Sequence, residues 1–142
     1  MESASSSPIK TALAFRVGKG AGSAAVAKAV LSMQGEIDTA LYPIIGQRGV
    51  AALRVRSVHL AGKTHPWLVQ ARDGTLADVD RQALESILAQ QPAAEAASGG
   101  AALLQTFCDL LVSLIGSSLT ERLLHHVWAD PPGGPHSQDT SP

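Results

Sequence analysis

From Ser23 onward, the apolar positions Ala25, Val26, Ala29, Val30, Met33, Ile37, Ala40 and Leu41 recur with the 3.6-residue period of a helix, and Ser23 is placed to cap its first turn. Pro43 has no backbone donor and disfavours helical geometry at Tyr42. This helix is therefore expected to end or kink there, with Pro43 opening the next. Gly46 and Gly49 weaken the junction further. Beyond them Val50, Leu53, Ser57 and Leu60 make one stripe, with Ala51, Val55 and Val58 beside it. Arg48, Arg56, His59 and Lys63 line a different face of what reads as a second amphipathic helix, ending near Gly62.

Residues 63–77 mix Pro66, Gly74 and turn-forming polar residues with Trp67, Leu68 and Val69, the pattern of a loop pinned to the core by an indole. A third helix, capped by Asp78 or Asp80, runs through Leu84, Ile87 and Leu88 to about Gln91, where Pro92 stops it. Ala93 to Ala97 favours helix and Ser98 to Gly100 permits it. From Ala101 to Ile115 the chain is apolar almost all round, with only Gln105, Asp109 and Ser113 polar, at i, i+4 and i+8. So narrow a polar line predicts a central, buried helix over about 101–116. Gly116 and Ser117 interrupt it, and Ser118 with Glu121 makes a capping box for a last helix through Leu119, Leu123, Leu124 and Val127 to Trp128.

No strand-like alternation and no internal repeat accompanies these helices, so the pattern predicts an all-α fold, a small helical bundle of four to five helices. The bundle domain is assigned to residues 23–128. Residues 1–22, rich in Ser, Ala and Gly, read as a flexible N-terminal segment whose partly apolar stretch Ile9–Val17 suits a loose turn or a short helix. Residues 129–142, with four Pro and two Gly, read as a disordered C-terminal tail.

Composition narrows the class. A chain of 142 residues that is 45% hydrophobic and 16% charged can bury one core but not two, and an aromatic content of 4% leaves that core to Ala, Leu, Val and Ile. Cys108 is the single cysteine, so an internal disulfide is excluded and a reducing compartment fits. The first residues lack the basic and apolar regions of a secretory signal, and the apolar stretch 101–116 falls short of the ~20 residues that a membrane-spanning helix needs. A cytoplasmic protein with no membrane contact is expected, and the Ala, Leu and Gly bias resembles that of bacterial proteins from high-GC genomes.

Charge changes the picture more. Residues 1–72 hold nine Lys or Arg against Glu2, Glu36 and Asp38, whereas residues 73–142 hold only Arg81 and Arg122 against nine acids. Between Thr39 and Arg72 lie five Lys or Arg, two His and no acid at all. Such a tract either complements the acidic third helix within the fold or meets an acidic partner. The second reading assigns a partner-binding face to Arg48, Arg54, Arg56, His59 and Lys63.

The remaining candidates point to no catalytic, metal or cofactor chemistry. Gly18, Gly20 and Gly22 lack the preceding strand of a dinucleotide fingerprint, and Lys19 is followed by Gly20 rather than by the Ser or Thr of a phosphate loop. His125 and His126 are adjacent, so they leave a helix about 100° apart and do not share one metal ion. Cys108, among Phe107, Leu111 and Val112, is expected to be a core residue. Histidine-phosphotransfer domains present a histidine on a helical bundle in the order His, any residue, Leu, Lys, Gly; here the chain runs His59, Leu60, Ala61, Gly62, Lys63.

The sequence thus leads to a non-enzymatic adaptor or regulatory module that presents a basic helical face to an acidic protein. A phosphotransfer-like signalling protein using His59 is the alternative. Nucleic acid is disfavoured by the pI near 6.5. Val112, Ile115 and Leu119 leave apolar surface compatible with a homodimer.

Overall fold

The computed structural model of the chain describes residues 8–18, 22–71 and 81–129. Among them are five α-helices and no strand: α1 (Pro8–Val17), α2 (Ser23–Ala61), α3 (Arg81–Gln90), α4 (Ala93–Ile115) and α5 (Ser117–Ala129), with a 3-10 turn over Pro66–Ala71. The all-α bundle expected from periodicity is therefore what forms.

α2 holds the main departure from the sequence pattern. Pro43 lies inside the helix without ending it, and the break falls at Gly46, with φ 78° and ψ 170°. That backbone region is essentially closed to residues with a Cβ, so the chain breaks where a glycine permits it rather than where a proline weakens it. The break reverses direction. Asp38 and Arg54 are 16 residues apart, about 24 Å along a straight helix, yet their side chains form a salt bridge. Each lies eight residues from Gly46, which sets the limbs 23–45 and 47–61 as a helical hairpin.

The other helices assemble on the first limb. Ser23 Oγ, instead of capping α2, donates to the Ala89 carbonyl at 2.7 Å, and Arg81 reaches the Leu31 carbonyl at 3.4 Å, so α3 runs antiparallel to it. Only Gln91 and Pro92 separate α3 from α4, which turns back parallel to the limb and meets it where Gly100 lies against Val30. A Cβ at Gly100 would stand 2.5 Å from Val30 Cγ2, and one at Gly99 would stand 2.4 Å from the Trp67 indole. Gly99 and Gly100 are thus built into the helix as contact points.

For that reason α4 starts at Ala93 and is not confined to 101–116. Ala96, Gly99, Gly100, Leu103, Leu104, Phe107, Cys108 and Leu111 make one buried face, while Asp109, Val112, Ser113 and Leu114 are exposed. The helix is one-faced rather than buried all round, because the hairpin, with α1, α3 and α5, covers a single side. At 23 residues it is, by length and composition, the one described helix capable of crossing a membrane, yet that buried face is part of the core.

α5 begins one residue before the expected Ser118 capping box. The Gly116 carbonyl accepts from the Thr120 amide at 3.2 Å and from Thr120 Oγ1 at 2.7 Å. Within the segment 1–22, α1 buries Ile9, Ala12 and Leu13 in the same core as Met33, Ile37, Leu104, Phe107 and Leu124. The expected caps Asp78 and Asp80 and the tail 130–142 lie outside the described residues.

Two substitutions test this architecture by urea unfolding. Gly46→Ala is expected to cost about 1–3 kcal/mol, the strain of a Cβ in that backbone region. Gly100→Ala should also destabilise, and a second change, Val30→Ala, should recover part of the loss by removing the methyl that the new Cβ meets.

Candidate functional site

The limb 47–61 and the turn after it carry the basic residues singled out in the sequence. At 100° per residue Arg48, Arg56, His59 and Lys63 fall within about 80° of one another, and all four are exposed. The row spans about 22 Å. Among the described residues no carboxylate pairs with any of them. Glu85, the described acid of α3, does not neutralise the row.

Arg54 is not part of this face. It lies about 160° around the helix from Arg56, in register with Val50, Ser57, Val58 and Ala61, and is only 6% exposed. Its partner Asp38 is 3% exposed and also accepts from Gln34 Nε2 at 2.8 Å. Burial pushes the Asp38 carboxyl above its ordinary range, against the lowering pull of Gln34, Arg54 and Arg81. Inclusion of Arg54 in the partner face is thus corrected. The signal was present in the sequence, since an arginine at i+4 from Val50 and i−4 from Val58 belongs to the apolar stripe.

The other candidates separate as follows. Cys108 is buried in α4, where desolvation, with a smaller push from Asp109, raises its thiol to about 12. His125 is exposed on α5. Among the described residues no three of His, Cys, Asp and Glu lie together as a metal site would need. Of the glycine cluster, Gly18 has φ 83° and Gly22 precedes α2, while residues 19–21 lie outside the described residues.

Two further features came from packing rather than from sequence. Because α4 runs parallel to the first limb of α2, with Val30 level with Gly100, the exposed Tyr42 and Ile44 come level with Val112 and Leu114. Tyr42 and Ile44 leave their helix about 160° apart, as do Val112 and Leu114, so the four are exposed at one level of the bundle without sharing a face. No known protein family, curated protein or solved structure matches this chain.

The second feature is a polar chain where the 3-10 turn meets α4. Trp67 Nε1 donates to Glu95 at 3.0 Å, and the indole stands edge-on to His65 with ring centres 6.0 Å apart. His65 Nε2 is 3.1 Å from Ser98 Oγ, and Nδ1 is 3.0 Å from Thr64 Oγ1. Ser98 also lies on the wall of an apolar cleft of about 410 Å³ between α1, α2 and α4.

Two measurements check these placements. Cys108 is expected to stay inert to a thiol-specific disulfide reagent at pH 8 while folded, and to react fully once unfolded. Arg54→Ala should cost about 3–5 kcal/mol, because it strands a buried carboxylate, whereas Arg56→Ala should change stability by less than about 0.5 kcal/mol.

Proposed function

We propose that the protein is a non-enzymatic interaction module whose basic row, Arg48, Arg56, His59 and Lys63, receives an acidic segment of another protein. The observation that carries this reading is the row itself: four exposed side chains on one face, without a carboxylate partner among the described residues. The like charges of Arg48, Arg56 and Lys63 on one face repel one another, so an acidic ligand gains from each of these three and is steered towards them.

Ile44, four residues before Arg48, is 46% exposed and adds an apolar contact to the partner's chemistry; a ligand that covers it removes apolar area from water at about 25 cal/mol per Å². An acidic amphipathic helix meets both requirements, with carboxylates for the row and an apolar anchor for Ile44. The row sets orientation and rate of encounter, and the apolar contact adds to the hold.

The test is affinity capture from the source organism with the wild-type chain and with an Arg48→Glu, Arg56→Glu, Lys63→Glu variant, both checked for helicity by circular dichroism. An acidic protein retained by the wild type and lost by the variant is expected. Retention by both the wild type and the variant removes the basic row from recognition. His59→Gln should leave capture intact. Phosphorylation of His59 by phosphoramidate, abolished in that variant, would instead favour the phosphotransfer reading that the exposed His59 invites, and a steep fall of binding to mixed-sequence DNA with salt would favour nucleic acid.

A further inference from the structure

We infer that the cleft between α1, α2 and α4 binds a small amphiphile with an apolar body and a hydroxyl head, and that the Ser98–His65–Thr64 chain selects the head. The body follows from the walls. Leu13 and Val17 of α1, Val26 of α2, and Ala97 and Ala101 of α4 enclose about 410 Å³, within the range of small-molecule sites. Among the described residues lining the cleft, Ser98 alone has a polar side chain. An apolar space with one placed polar group fixes both the class of ligand and its orientation.

The head follows from proton order. In this proton order Thr64 Oγ1 donates to the Ala61 carbonyl at 3.2 Å, which also accepts from the Thr64 and His65 amides. Thr64 Oγ1 then accepts at its other contact, which puts the imidazole proton on Nδ1 of His65. That leaves Nε2 as an acceptor, and the Ser98 hydroxyl donates to it. With its proton committed to His65, Ser98 Oγ has only lone pairs left. A ligand head must therefore donate, as an alcohol does; a carboxylate or a carbonyl brings a second acceptor. Glu95, 3.9 Å from His65 Nε2 and bonded to Trp67, adds a further reason for a carboxylate to be rejected.

The same pair of side chains resembles the start of a nucleophilic device, but the geometry supports holding rather than transfer. Ser98 lies in the second turn of α4, where its own amide and those that follow are spent on the helix ladder. No backbone donors are left there to stabilise an oxyanion. Binding at this site is independent of the basic row, which lies on the limb 47–61 and the turn after it.

The experiment is calorimetric titration of the full chain with 1-octanol and with octanoate, at pH 8. Saturable 1:1 binding of octanol is expected, with octanoate at least tenfold weaker. Ser98→Ala removes one hydrogen bond and should weaken octanol roughly three- to tenfold, while leaving the helical spectrum unchanged. Ala97→Phe, which fills the cleft, should abolish binding; if that variant loses its helical spectrum, Ala101→Leu serves in its place. Octanol that fails to saturate, octanoate bound as tightly as octanol, a Ser98→Ala variant equal to wild type, or binding retained with the cleft filled would each overturn the inference.

Discussion

The fold turns on a charge pair closed across a chain reversal. Asp38 and Arg54 stand symmetrically about Gly46, and their salt bridge joins the two limbs of α2 inside the core. Neither ion is cheap to bury, and their mutual attraction offsets that cost only in the hairpin geometry. A straight helix through the same residues would hold them about 24 Å apart and leave both unpaired. The pair therefore works as a specificity device: it makes the bent arrangement of α2 the one in which both charges are satisfied, with Gln34 taking up a further carboxylate lone pair.

Once the hairpin is set, small residues decide what packs on it. Gly100 admits Val30, Gly99 admits the Trp67 indole, and the contact brings α4 alongside the first limb. In a core with few aromatics, backbone proximity replaces large side chains as the means of filling space. The consequence is asymmetric cover. α4 is sealed on one side from Ala96 to Leu111 and open near its end, where Val112 and Leu114 are exposed.

Two surfaces with different chemistry result. The outward face of the limb 47–61 carries Arg48 and Arg56, while its inward face holds Arg54, the one buried arginine among the described residues. At the other face of the hairpin, the 3-10 turn delivers His65 and Trp67 onto the first turns of α4, where Ser98 and Glu95 meet them. The first surface suits recognition by charge and apolar contact. The second is a small, ordered polar chain at the edge of an apolar space, with its direction set by a carbonyl that has no proton to give.

How much of this could be read from the residues alone depends on the range over which each interaction acts. Helix content, the burial of Cys108 and the clustering of Arg48, Arg56, His59 and Lys63 are properties of local periodicity, and the sequence carries them. Even the inward position of Arg54 was legible, since its spacing from Val50 and Val58 placed it on the apolar stripe. The reversal at Gly46 rather than Pro43, the entry of Gly99 and Gly100 into α4, and the meeting of His65 with Ser98 were decided only by tertiary structure. Each joins residues far apart in the chain or selects among backbone conformations of similar local energy, and such choices are settled by which packing satisfies every buried group at once.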